Sequence, residues 1–178
     1  MKVVPLDRSH VRGAAALHRR GRVWFYRGKG APCVLRTFYD AYANRDYTLG
    51  AVAVAEGEVI AAACAATRAD GARRWIRARR PWRSLCARIA GGREMATGGL
   101  GADYFDAVET EGKPAFLVSL AAAPGVEGDA LVQLLDRLAA AAASRGVCRL
   151  WAPAADAAEM TAWRFKPGPT PALMVRDL

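Results

Sequence analysis

A proline, two glycines and two carboxylates stand where this chain passes from an apolar run into a strongly periodic one. Pro124-Gly125-Val126-Glu127-Gly128-Asp129-Ala130-Leu131-Val132 follows the run Ala115 to Ala123 and leads on to Leu138. A strand that passes through a glycine-containing turn into a helix leaves backbone N–H groups free at the positive end of the helix dipole. That arrangement binds phosphate. Glu127 and Asp129 oppose it, because a carboxylate at contact range of a phosphate costs on the order of 1–4 kcal/mol, depending on the local dielectric. Asp129 can also cap the helix and take the N–H groups that a phosphate would use. The chemistry suggested is recognition of a phosphate at an acid-flanked helix start.

Other reactive residue types lack the spacing their chemistry needs. The sequence contains no HExxH, GxSxG or Walker lysine motif and no paired cysteine or histidine ligand set, so no metal ligand is assigned. Gly99-Leu100-Gly101 begins like a dinucleotide fingerprint but lacks the third glycine and follows no strand; it reads as loop. Asp103, Asp106, Glu109 and Glu111 could hold a hard cation, but read as a solvated face or a counter-surface for arginines. His18, beside Leu17 in a helical pattern, reads as packed rather than catalytic. Cys33, Cys64, Cys86 and Cys148 show no CxxC spacing and read as buried, reduced thiols.

Charge is unevenly spread. The net charge is +9, and residues 71–93 carry eight arginines and no acid, with Trp75 and Trp82 interleaved. A second basic stretch runs through Arg19, Arg20, Arg22, Arg27 and Lys29. Such a field attracts nucleic acid, an anionic membrane surface or a polyphosphate cofactor, or is simply a solvated helix face. Interleaved tryptophans suit stacking on bases, although at this spacing they more often anchor a helix to its own core.

An alternating order of strands and helices must position these residues. Lys2 to Leu6 reads as a short strand, and Asp7 or Ser9 can cap a helix over about Val11 to Arg19, stopped by Gly21. Pro32 suits the first turn of a second helix reaching about Asn44, with Val34, Leu35, Phe38, Tyr39 and Tyr42 at helical spacing. Leu49–Ala55 and Val59–Ala66 flank Glu56-Gly57-Glu58 and read as a hairpin. Residues 68–112 read as an insertion, helical between Arg73 and Ile89 with a break at Pro81, then loop. Ala115–Ala122 reads as a central strand. Asp129–Ser144 reads as a helix buried through Leu131, Leu134, Leu135, Leu138 and Ala142 and ended by Gly146. Val147–Trp151 reads as a strand, Ala155–Ala162 as a short helix and Ala172–Arg176 as a final strand able to pair across a homodimer.

With 178 residues, 53% hydrophobic and 24% charged, residues 1–178 read as a single α/β domain of mixed strand order. The longest apolar stretch, Leu49 to Thr67, is interrupted by Glu56, Gly57 and Glu58, so no membrane span is expected. The start of the chain lacks the apolar region and cleavage site of a secretory signal, which points to the cytoplasm.

In this order of elements and in three local stretches, the chain resembles the GNAT superfamily of N-acetyltransferases over nearly its whole length. Ala16-Leu17-His18-Arg19-Arg20 with Gly30 to Tyr42 resembles the family's first two helices. Leu120-Ala121-Ala122-Ala123-Pro124 resembles the end of its central strand, and Gly128 to Leu138 its signature turn and helix. The resemblance implies an α/β fold, a GNAT-like mixed central sheet flanked by helices, with a basic helical insertion between the third and fourth strands. It implies acetyl-CoA as co-substrate, held by Leu120, Ala121 and Ala122 of the strand and by Glu127, Gly128, Asp129, Ala130, Leu131 and Val132 of the turn and helix. The pantetheine arm would lie between the splayed fourth and fifth strands.

The sequence also departs from the family. The family turn reads Gln/Arg-x-x-Gly-x-Gly/Ala, and here its positions are Glu127, Gly128, Ala130 and Val132, with Asp129 where a basic residue is common. In the family a backbone amide of the central strand holds the thioester carbonyl, a carboxylate takes the amine proton, and a tyrosine after the fifth strand protonates the thiolate. In Pro153 to Phe165, Met160 falls at about the tyrosine and Arg164 at a glycine, and Phe116 opens the central strand without an acid. Tyr26, Tyr39, Tyr104, Asp106 and Glu109 are candidate substitutes, so the catalytic residues are left unassigned. Two functions follow. One is an acyl-CoA-dependent N-acyltransferase acting on a small-molecule or peptide amine. The other is a catalytically impaired binding or regulatory module whose basic surface takes an anionic partner, nucleic acid included.

Overall fold

A computed structural model describes residues 1–25, 31–43, 47–68, 113–126, 128–154 and 157–178. Their elements are β1 (Lys2–Pro5), α1 (Val11–Arg20), β2 (Arg22–Phe25), α2 (Pro32–Ala41), β3 (Thr48–Ala55), β4 (Glu58–Ala66), β5 (Lys113–Ala122), α3 (Asp129–Ala143), β6 (Val147–Pro153), α4 (Ala157–Ala162), β7 (Lys166–Pro167) and β8 (Leu173–Asp177). Local chemistry sets their limits. Pro32 occupies the first turn of α2, where its missing N–H costs nothing. Glu56 and Gly57, at φ 52° and 82°, make the two-residue link from β3 to β4, whose left-handed residues match the twist of a hairpin. Neither Asp7 nor Ser9 caps α1; the residue before that helix is His10. Asp7 Oδ1 instead accepts the Ser9 N–H at 2.8 Å and the Ser9 hydroxyl, closing the turn that enters the helix.

The strands form one mixed sheet in the order β1-β3-β4-β5-β6-β8-β7, with β2 attached to β5. Only β5 and β6 run parallel, and parallel neighbours need a crossover, which α3 supplies. Helices cover both faces. Ala62, Cys64, Ala66, Phe116 and Val118 pack with α1 and α2 residues such as Leu17, Leu35 and Phe38. Ala61, Ala63, Ala65, Leu117 and Leu120 pack with Leu131, Leu134, Leu135 and Leu138 of α3 and Met160 of α4. The middle of the sheet is built from small side chains: Ala61, Ala62, Ala63, Ala65 and Ala66 of β4 are all buried. The bulk of both cores therefore comes from the helices.

The mixed sheet flanked by helices is the expected fold, with differences at particular places. β2 is an additional strand, so the expected insertion follows the fourth observed strand rather than the third. Apart from Arg68, whose guanidinium lies 5.1 Å over the Tyr47 ring, that insertion lies outside the described residues. The final strand, β8, is not the sheet's edge, because β7 pairs with its Met174 and Val175. No helix of the described residues is long and apolar enough to cross a membrane.

Candidate functional site

β5 and β6 pair only over Lys113–Phe116 and Val147–Trp151, and past Phe116 and Trp151 they part. A bulge accompanies this fork. Against β4 the register jumps from Leu117 opposite Ala65 to Ser119 opposite Cys64, which inserts Val118 as an extra residue in β5. An extra residue bends its strand and re-aims the following side chains. Two polar atoms near the fork, Ser119 Oγ and Trp151 Nε1, are buried without a hydrogen-bond partner among the described residues. Leaving a buried polar group unpaired costs about 1–3 kcal/mol, so their position at the fork calls for a physical reason.

β5 ends in the glycine turn. The Val126 N–H donates to the Ala123 carbonyl at 3.1 Å, and Gly125 takes φ 81°. Gly128 begins α3 at φ 57°, ψ −121°, a conformation that side chains resist. Its carbonyl accepts the N–H groups of Leu131 at 3.0 Å and Val132 at 3.1 Å. The N–H groups of Asp129 and Ala130 are left to be satisfied from outside the helix. Gly128 has no side chain with which to cap this end, and Asp129 stands exposed in the first turn. An added Cβ at Gly128 would meet nothing within 4 Å among the described residues. Leu131 is buried in the core, so it faces a ligand with backbone at most, and Val132 is half-buried. Glu127 lies outside the described residues.

The structure adds a neighbour that the sequence reading does not include along Leu120–Ala122. The edge of β5 that the resemblance assigns to a pantetheine arm is already paired: Arg22 lies opposite Ala122, Val23 opposite Ala121, Trp24 opposite Leu120 and Phe25 opposite Ser119. Gly21 makes this possible, since a Cβ there would stand 2.3 Å from the Ala122 carbonyl oxygen. Contacts from α4 and the residue just past it hold β2 in place. The Trp24 indole N–H donates to Glu159 Oε2 at 2.8 Å, and Arg22 pairs with Glu159 Oε1 at 2.7 Å. Trp24 also meets Trp163 edge to face at 5.3 Å, with the Arg22 guanidinium 4.5 Å over its ring. Sequence reasoning assigned no role to β2, Glu159 or Trp163. The short run of β-prone residues Val23-Trp24-Phe25 was the available signal for the strand.

At the catalytic end, Met160 is fully buried and offers no acid. Arg164 holds φ 66°, the left-handed conformation that a glycine at that position would take readily. Its guanidinium and that of Arg176 both reach Asp136 of α3. Tyr39 is buried, its hydroxyl hydrogen-bonded to His18 Nδ1 at 2.9 Å. Burial pushes His18 down to about 4 and raises the Cys64 thiol. Cys33 and Cys148 are exposed rather than buried, and both are free, as is Cys64. Tyr26, Tyr104, Asp106, Glu109 and the arginines of 73–93 lie outside the described residues. Among the described residues no group of three or more His, Cys, Asp or Glu is placed to hold a metal ion.

No protein-family model and no curated protein matches this sequence. Solved structures do match. An aminoglycoside antibiotic 6'-N-acetyltransferase from Acinetobacter haemolyticus has a TM-score of 0.61 at 14% identity, over 96% of this chain and 94% of that one. A ribosomal-protein-alanine N-acetyltransferase from Brucella melitensis has a TM-score of 0.58 at 16% identity, over 100% of both chains. A GNAT family N-acetyltransferase from Escherichia coli, solved in complex with CoA, has a TM-score of 0.58 at 15% identity, over 99% of this chain and 80% of that one. Identities this low speak for the fold alone. This chain has the fold of the GNAT N-acetyltransferases.

Proposed function

We propose that this protein is an acyl-CoA-dependent N-acyltransferase that moves an acetyl group from acetyl-CoA to the amine of a small molecule or peptide. The observation that carries this reading is the fork between β5 and β6, with a bulged strand that runs through a glycine turn into a helix whose start at Gly128 is open among the described residues. The amides of Asp129 and Ala130 would take the diphosphate, and Leu120–Ala122 the pantetheine arm. The thioester would then reach the bulge at Val118 and Ser119, where an incoming amine attacks. With Met160 buried where the resemblance places an acid, catalysis rests on positioning rather than on a proton donor from that position. The structural neighbours named above are acetyltransferases of an aminoglycoside and of a ribosomal-protein alanine, both amine acceptors. The same reading takes residues 1–178 as one catalytic domain working in the cytoplasm.

Ligand-induced stabilisation tests it. Acetyl-CoA at about 100 times its Kd should raise the thermal midpoint by roughly 5–10 °C, and Gly128→Val should abolish that rise. Glu127→Arg combined with Asp129→Lys should tighten CoA binding by about tenfold or more, by replacing like charge with opposite charge. A midpoint unmoved by acetyl-CoA and CoA in both the native protein and the charge-reversed variant would sink the enzymatic reading.

One observation favours a second reading, a GNAT-fold binding module without acyl-CoA chemistry. The β5 edge at Ser119–Ala122 is filled by the chain's own β2. In that case single-stranded RNA or heparin raises the midpoint and acetyl-CoA does not.

A further inference from the structure

We infer that β2 is a displaceable strap: it occupies the edge of β5 that acyl-CoA requires, so that β2 and the pantetheine arm exclude each other. The inference rests on the acyl-CoA reading above and concerns the regulation of that same site. A strand has two hydrogen-bonding edges. Between Ser119 and Ala122, β5 gives one to β4 and the other to β2. An amide-bearing chain can pair there only after one neighbour leaves. β4 is held by nine residues within the middle of the sheet, whereas β2 is four residues long and attached to β5 alone.

Three further features mark the β2 arrangement as one of two states. Phe25, its last residue, holds φ 68°, a left-handed conformation that a bulky aromatic residue adopts only when its surroundings compel it. Besides its ladder to β5 and the packing of Trp24 on Trp163, β2 is held by a side-chain latch outside the strand ladder. Arg22 and Glu159 are 56% and 27% exposed, so water can take over their ion pair once β2 lifts. Finally, docking β2 opposite Ser119 still leaves the Ser119 hydroxyl and the Trp151 indole N–H buried without partners among the described residues at the fork. The closed state therefore leaves polar groups unsatisfied where the reacting end of a ligand would lie. If only a fraction of molecules has β2 lifted, the apparent affinity for acyl-CoA is reduced by that fraction, and loosening the latch raises it.

A reversible cross-link tests the strap. Val23→Cys with Ala121→Cys, in a background with Cys33, Cys86 and Cys148 changed to Ser, places two thiols on directly opposed residues of β2 and β5. The oxidised protein should bind acetyl-CoA at least about tenfold more weakly than the same protein after reduction. Separately, Glu159→Gln should tighten acetyl-CoA binding by about three- to tenfold. Acetyl-CoA added to the native chain should speed hydrogen exchange at amides 22–25 while β4 stays protected. Equal affinity of the oxidised and reduced forms overturns the strap and leaves the acyl-CoA reading standing. No binding by any form, Glu159→Gln and the reduced pair included, overturns the acyl-CoA reading and the strap with it. If the cysteine pair does not fold, unchanged affinity in Glu159→Gln together with unchanged exchange at 22–25 overturns the strap.

Discussion

His18 shows how one buried side chain ties this protein to pH. It sits in the core of α1 and α2 against Phe38 and Tyr39, with 4% of its surface exposed and its Nδ1 bonded to the Tyr39 hydroxyl. Burial lowers its pKa from 6.5 to about 4, so the native state keeps the imidazole neutral where the unfolded chain takes up a proton. Above pH 6.5 both states are neutral and His18 adds no pH dependence. As pH falls from 6.5 toward 4, the unfolded state gains protons that the native state refuses, and stability drops by up to about 3 kcal/mol. Urea midpoints at pH 7.5, 5.5 and 4.5 should show that slope, and His18→Gln should flatten it. The carboxyls of Asp7 and Asp177 are held below 3.8 chiefly by hydrogen bonds from Ser9 and Lys166. Their stabilisation is lost only in a lower window, as pH falls through their native pKa values, so the two effects separate.

At the scale of elements, the junction of α1, β2 and β5 is the critical joint. Gly21 lets α1 end directly against the Ala122 carbonyl, where any Cβ would overlap backbone. Gly21→Ala should therefore push β2 off β5 and cost about 1–3 kcal/mol, seen as a lower thermal midpoint and faster exchange at amides 22–25. The longer elements were legible in the sequence because their patterns repeat enough times to be read. Leu131, Leu134, Leu135 and Leu138 mark the buried face of α3, and Glu56-Gly57 announces its hairpin. Gly128 was legible too, since a glycine opening a periodic run asks for a special backbone conformation. β2 was not, because four residues inside a basic stretch hold too little alternation to stand out. The Glu159 latch could not be read either: its partner Trp24 is 135 residues away in the chain. The fork itself depends on register, which no residue type encodes.

For the whole molecule, charge and shape make separate demands. A net charge of +9 on 178 residues draws anions of any kind to the surface, whatever the fork does. Salt distinguishes the two proposed functions. Stabilisation by heparin or single-stranded RNA should fade by roughly 10³-fold in affinity between about 50 and 200 mM salt if several phosphates or sulfates are neutralised. Stabilisation by acetyl-CoA, gripped at one turn and along one strand, should fall far less over the same range in a thermal-shift titration. Shape rests on the alanines of β4, which line both faces of the sheet's centre. Because the side chains there are nearly as short as side chains can be, the sheet acts as a spacer of fixed height, and each helix fills whatever room remains above it. Drift can exchange one filling for another on the helices while the spacer admits almost no growth, since extra methylenes in a packed interior force the layers apart. A chain built this way can share an architecture with structural neighbours at 14–16% identity, because the dimension that sets the architecture is guarded by its smallest residues.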